Sequence, residues 1–496
     1  MPDNTTSIDD LKELTDEELL KYINRSTGVE AKFKSIFETH IITDNHRLSF
    51  WLQNRVKINQ TVYVKAIVEG LTTKIQTQGF NKIEDLIEFC DWILSLSDNS
   101  TQRGEKEQSI LSSNQPGLEH CRKAVVEFIL NCVNTNAPIS ARDSIAGLLD
   151  KVCNQSETGF VNNGLGNSNI QSQFIKGLNN SRSYGLKVLI INFGGWVQRQ
   201  LPSDTVPEVT RILSKRIIKP AKIPLTEPEY AILGQSFGLL NKLNPNWTSK
   251  HSKLFFPREN TSYWKCSFGT YLCYNPPIEF LIDEYNYALE NLEFFSKNHD
   301  PNEDHDPNEI ITHLGMGVYI LFLRKFYDLE SENSLLNKFY KKTNDHPEFW
   351  KFLFDEVGQS LMFGELKEYK DRAVDFLNWR LEVGTLQELH NFYGWLESEC
   401  LEPSLRLNSY LKILNLPRDK HLDNLIDIRT LITLHQKEEL LVVKCLAKLS
   451  ELFPRNHFVS KNELNNLDSI LEASLKSNNS EIVKLASFVK EKLIES

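Results

Sequence analysis

Apolar residues recur along most of this chain at spacings of three and four, the mark of helices that bury one stripe and leave the opposite face in water. Ile83, Leu86, Ile87, Cys90, Ile93 and Leu94 keep that rhythm over three turns. Leu464, Leu467, Leu471 and Leu475 repeat it, followed by Ile482, Leu485, Val489 and Leu493, which predicts two successive amphipathic helices. Start signals agree with the spacing. Thr15-Asp16-Glu17-Glu18 and Thr226-Glu227-Pro228-Glu229 both place a hydroxyl and, three residues on, a carboxylate where they satisfy the orphan amides of a first turn. Ser140-Ala141-Arg142-Asp143 is a weaker version of the same pattern.

Strand signals are scarce. The best is Val188–Phe193, ending at Gly194-Gly195, and because helical patterns flank it on both sides we read it as buried helix. The apolar rhythm breaks at 97–117, 155–172 and 298–308, where polar residues, Gly and Pro take over. The third break carries Asp-Pro-Asn-Glu twice, a duplication of the kind surface loops tolerate, and the coarsest domain boundary is placed there. This predicts a helical-repeat region at 1–298, with polar loops near 97–117 and 155–172, and a second at 309–496. Between the breaks, helical segments follow one another through short turns without any fixed consensus period. The expected fold is all-α: an irregular α-solenoid, or stacked helical bundles of antiparallel helix pairs.

Composition narrows the class without naming a function. With 496 residues, 40% hydrophobic and 25% charged, the chain is long enough for more than one core and ordinary enough to fold. The formal net charge of -10 disfavours phosphate backbones as a default partner. The first ten residues are polar and acidic, so no secretory leader is expected, and the longest apolar run, 314–323, is half of the ~20 residues a membrane span needs. Eight cysteines are scattered without any CxxC, which suits reduced core residues and a cytoplasmic location.

Tests for chemistry return little. No GxxxxGK[ST] phosphate loop occurs, and Gly164-Leu165-Gly166-Asn167-Ser168 lacks the lysine and the preceding strand. The twelve histidines form no HExxH or comparable zinc set. Asp300, Asn302, Asp304 and Asp306 alternate like calcium ligands, but His305 stands where the loop needs Gly and Ile311 where it needs Glu. Cys266 and Cys273, beside Trp264, Tyr271 and Tyr274, fit an aromatic-rich core better than a pocket. No catalytic residue, cofactor or metal is therefore expected. The one charge feature is a strip of five cations, Arg211, Lys215, Arg216, Lys219 and Lys222, with no acid among them. Such a strip suits an anionic partner, and it equally suits a solvated face near the negative end of a helix dipole.

Several blocks resemble the C-terminal helical region of large bacterial STAND-type NTPases, a class that includes antiviral sensors: 14–24 (LTDEELLKYIN), 138–153 (PISARDSIAGLLDKVC), 206–240, 346–361 and 376–402. In that family a nucleotide-driven switch domain and an effector domain precede a helical array that recognises the trigger. The resemblance begins near Met1, so it implies the sensor-like half without the NTPase and effector regions, and it transfers no catalytic residue. The expected function is a non-catalytic helical-repeat recognition or adaptor protein in a bacterial cytoplasm, binding a protein such as an NTPase subunit or a phage protein. Trp395 and Trp264 are candidate anchors there, with a core position as the ordinary reading. Two alternatives from other classes are a nucleic-acid scaffold using the 211–222 strip and an all-helical hydrolase with a dispersed site.

Overall fold

A computed structural model describes residues 8–25, 30–58, 60–78, 83–96, 117–155, 170–202, 205–218, 224–296, 308–329, 334–416, 428–453 and 461–495. Among them every regular element is a helix. The chain divides into two compact units, residues 1–276 and 277–496. The division at Pro276 and Pro277 precedes the break expected at 298–308, of which residues 298–307 lie outside the described ones. Helix Ile282–Glu290 packs on Leu335–Lys342, and Arg324 Nη1 donates to the Pro277 carbonyl at 3.0 Å. Residues just after Pro276 are therefore tied to the helices of the second unit.

In the first unit the main helices are α1 (Asp16–Ile23), α2 (Asn45–Gln53), α3 (Thr61–Gln78), α4 (Ile83–Ser95), α5 (Leu118–Asn134), α6 (Arg142–Cys153), α7 (Ile170–Asn179), α8 (Ser181–Lys187), α9 (Pro207–Leu213), α10 (Glu227–Leu243) and α11 (Thr261–Tyr274). Helix α3 packs on α5, α4 on α6, α6 on α8 and α8 on α10. Several helices thus lie against the one two places further on in this numbering, as in stacked helix pairs, and these bury apolar residues on more than one side. The stripe read from sequence in α4 is buried throughout, from Ile83 to Leu94. Thr15 caps α1 as expected: its Oγ accepts from Glu18 N–H at 3.3 Å while Glu18 accepts from Thr15 N–H at 2.9 Å. Ser140 does not cap α6, because a 3₁₀ turn at Ile139–Ala141 moves the start one residue on, to Ala141. Val188–Phe193 is a π-helical turn joining α8 to Gly194–Gln200, so the strand alternative is set aside.

Helices α10 and α11 pack with their backbones in close approach. A Cβ at Gly234 would run into the carbonyl oxygen of Ser267 and the hydroxyl of Thr270, so only glycine lets these backbones meet. Asn275 seals the contact, donating Nδ2 to the Gly234 carbonyl at 3.0 Å and accepting from Gly238 N–H at 2.9 Å.

The second unit contains α12 (Asn308–Leu323), α13 (Pro347–Met362), α14 (Lys370–Val383), α15 (Tyr393–Glu397), α16 (Pro403–Leu414), α17 (Ile428–His435), α18 (Glu439–Leu452), α19 (Lys461–Ser474) and α20 (Ser480–Glu495). Again α16 packs on α18, α18 on α20 and α17 on α19. The apolar run 314–323 lies in α12, where Leu314, Val318, Tyr319, Leu321, Phe322 and Leu323 are all buried. No helix among the described residues is long and apolar enough to cross a membrane.

Gly234→Ala should lower stability by about 2–3 kcal/mol, because the α10–α11 contact must open. Gly147→Ala in α6, where an added Cβ meets nothing within 4 Å, should be neutral or slightly stabilising. Urea unfolding followed by circular dichroism checks the pair, and equal effects would contradict the close approach.

Candidate functional site

The cationic strip is divided by the helix that carries it. On a helix advancing about 100° per residue, Lys215 stays near Arg211, whereas Arg216 lies about 140° away. A π-helical turn at Ser214–Ile218 follows α9 there. Arg211 and Lys215 face outward, and both donate to one carboxylate oxygen of Asp150 on α6, at 3.0 and 2.5 Å. Arg216 points inward with its side chain only 2% exposed. Lys219 and Lys222 lie outside the described residues, as do Gly164 to Ser168 and the alternating Asp300, Asn302, Asp304 and Asp306. In the described part, then, the strip is two surface cations already paired with an acid and one arginine in the core.

Arg216 belongs to a cluster around Glu229, whose side chain is 0% exposed. Arg182 grips the carboxylate with its fork, Nε at 2.9 Å and Nη2 at 2.7 Å. Arg216 Nη2 donates to both oxygens, at 3.0 and 3.2 Å, and Thr226 adds its N–H at 2.9 Å and its hydroxyl at 3.0 Å. Glu229 is the acid of the capping pattern that opens α10, so a helix-start residue doubles as the centre of a buried ion cluster. The arginines also reach backbone: Arg182 Nη1 to the Gln155 carbonyl at 3.3 Å, and Arg216 Nη2 to the Pro224 carbonyl at 3.2 Å. The Thr226–Glu229 spacing was a signal for the cap. Nothing in the local sequence announced Arg182, 47 positions upstream.

The second unit has its own version. Arg380 forks onto Glu388 at 2.8 and 2.6 Å, and Tyr340 OH donates to the same carboxylate at 2.9 Å. The guanidinium lies 3.8 Å from the Tyr340 ring and 4.5 Å from that of Trp379. Burial raises the Glu388 carboxyl above its ordinary value, against the opposite pull of Arg380 and Tyr340. Both clusters are closed: the bonds run inward between protein groups and neither carboxylate meets solvent.

Other groupings fail as reaction centres for specific reasons. His435 Nε2 lies 2.9 Å from Ser474 Oγ, but the nearest carboxylate, Glu439, is 3.8 Å from that same nitrogen. A relay needs the acid on the other ring nitrogen, and Ser474 is fully buried. A surface depression of about 240 Å³ is lined by Glu119, His120, Lys123 and Asn179. There Glu119 accepts from Ser181 N–H and Oγ, and Lys123 donates to Asn179, which leaves the acid and the amine satisfied within the protein. Among the described residues no three His, Cys, Asp or Glu side chains gather as a metal set. Burial pushes the thiols of Cys121, Cys132, Cys266 and Cys445 up to about 12, so none is a ready thiolate. The two tryptophans considered as anchors, Trp264 and Trp395, are both 0% exposed and belong to the core.

The class these features define is an all-α protein of stacked helix pairs whose buried polar clusters hold the stack together. No family model matches the chain, and no curated protein is significantly similar to it. Among solved structures, the crystal structure of an engineered protein from the Northeast Structural Genomics Consortium aligns with 97% of this chain and 99% of its own, at 13% identity and a TM-score of 0.22. A likeness at that score carries no argument about fold or function.

Arg216→Ala should cost about 3–5 kcal/mol, because it removes one partner of a buried ion cluster, while Lys215→Ala one residue away should cost under about 1 kcal/mol. Thermal unfolding of the two variants checks this, and similar losses would contradict the inward placement of Arg216. A pH effect follows from His435. Burial holds its imidazole below the ordinary 6.5, only partly offset by Glu439, so the unfolded chain binds the proton more readily. The associated stability is present above pH 6.5 and is lost as pH falls through the folded value. His435→Gln should therefore flatten the fall in melting temperature below that pH, and an unchanged slope would refute the assignment.

Proposed function

We propose that the chain is a non-catalytic helical-repeat recognition or adaptor protein that binds another protein in a bacterial cytoplasm. In this reading it serves antiviral defence as the sensor-like counterpart of a STAND-type NTPase, and its partner is that NTPase or a phage protein. The observation that carries the protein-binding part is a surface that keeps large apolar side chains exposed on the second unit. Phe363, Val383, Tyr393 and Phe352 are 73%, 60%, 46% and 41% exposed in the second unit. Protein recognition uses apolar surface that the fold leaves uncovered, and stacked helix pairs leave whole helix faces available for it. The blocks at 14–24, 138–153, 206–240, 346–361 and 376–402 support the defence context.

The test is affinity purification of the tagged chain from its native cell, with and without phage challenge, followed by mass spectrometry. One protein recovered at near-stoichiometric yield is the expected outcome, and an NTPase or a phage protein would support the defence context. Salt-sensitive nucleic-acid binding, abolished by Lys215→Glu with Lys219→Glu, would replace this reading with a nucleic-acid scaffold. A bound metal found by elemental analysis, together with no protein partner, would replace it with the hydrolase.

A further inference from the structure

One helix face of the second unit combines exposed rings with acids that no cation meets. Phe352 and Phe363 are eleven positions apart, which on a helix is close to three whole turns, so they share a face at a separation of about 16 Å. Asp355, Glu356 and Gln359 stand at the third, fourth and seventh positions after Phe352, on that same face. The end of α13 holds Phe363 in place. Gly364 takes φ +78°, its N–H donates to the Leu361 carbonyl at 3.0 Å, and the Glu365 N–H donates to the Ser360 carbonyl at 2.9 Å. These are the two bonds of a glycine-terminated helix, and they fix Phe363 as the capping residue and turn Glu365 back beside it. The neighbouring helix α15 packs against α13 through Gly394, whose backbone approaches that of Gly358 and Gln359.

Among the described residues, Asp355, Glu356 and Glu365 form no ion pair, and Lys351, one turn before Asp355, bonds to none of them. Burial first, then Asp355 and Glu365, raise the Glu356 carboxyl above its ordinary value, as expected of like charges crowded beside apolar surface. The buried side of the helix, from Phe349 to Leu361, is fully committed to the core. Its outer side therefore carries two aromatic contacts about three turns apart, with the carboxylates of Asp355 and Glu356 between them and forming no ion pair among the described residues.

We infer that the Phe352–Phe363 face of α13 is a docking surface for a cationic amphipathic helix of a partner protein. This rests on the reading of the chain as a protein-recognition scaffold, and adds to it the chemistry of the partner. Apolar side chains of the incoming helix cover the two rings, Lys or Arg between them meets Asp355 and Glu356, and a further cation beside the Phe363 end meets Glu365, as in helix-on-groove recognition. A second copy of this chain does not fit, because a two-fold contact through this face would set acid against acid. Nucleic acid is excluded from it by the same like charge.

The test uses the full chain and a fluorescein-labelled synthetic helix of Leu and Lys, with fluorescence anisotropy read at about physiological salt. Phe352→Ser with Phe363→Ser should weaken binding by about tenfold or more, and so should Asp355→Lys with Glu356→Lys. Glu84→Lys with Asp85→Lys makes the same change in net charge on the exposed side of α4 and should leave affinity within about twofold. Equal weakening by the α4 variant would show that the peptide follows net charge, and would overturn the docking surface. All the substituted side chains are exposed or half-buried, and an unchanged circular dichroism spectrum confirms folding. Repeating the native-cell purification with Phe352→Ser and Phe363→Ser separates the two claims. Loss of the partner supports the docking surface, whereas full retention overturns this face and leaves the adaptor reading standing.

Discussion

A carboxylate withdrawn from water must be surrounded by donors, and the first unit is organised around one that is. Glu229 opens α10, and α10 is the helix against which α7, α8 and α11 all pack. Its charge is met by Arg182 from α8 and Arg216 from the turn after α9, so one side chain ties three separate stretches of chain to a single point. In a low dielectric such a cluster tolerates little displacement, since moving any member leaves a buried charge unmet. The apolar stripes supply the larger share of the driving force for folding. The cluster adds charge-assisted links between α8, α10 and the turn after α9.

The second unit reaches the same end by a related route. Arg380 and Glu388 stand eight positions apart, and the pair is held by Tyr340 from another helix and by two aromatic faces. The guanidinium is suited to that place because it bonds in its plane and stacks above and below it, which an ammonium group cannot do. Each unit thus uses its most reactive-looking side chains to hold helices together. Among the described residues, groups with the chemistry of an active site, including His435 and the buried cysteines, are not brought together into one reaction centre.

Much of the helical content was legible in the chain. The stripe in α4, the caps at Thr15 and Thr226 and the buried run in α12 depend on neighbours within a few positions, and local spacing reports those faithfully. The boundary between the units was not legible in the same way. A polar, Pro-rich segment advertises a loop, but a division depends on which helices share a core, and Ile282–Glu290 shares one with Leu335–Lys342. Ser140 failed as a cap for a similar reason, because a 3₁₀ turn shifted the helix start by one residue.

The strip between Arg211 and Lys222 shows where reading along the chain stops. Counting cations in one dimension groups Arg216 with Arg211 and Lys215, while the rotation of the helix separates them and the third dimension supplies Asp150 to one side and Glu229 to the other. Phe352 and Phe363 show the converse: their spacing placed them on one face, but only packing decided that this face is the outer one. By itself the sequence determined that the chain is helical, where several of its helices lie and which of their stripes are apolar, because helix formation and amphipathicity are local. Which charges are buried, which are paired and which apolar side chains stay exposed was decided by tertiary structure alone, because burial belongs to the neighbours a residue acquires and not to the residue.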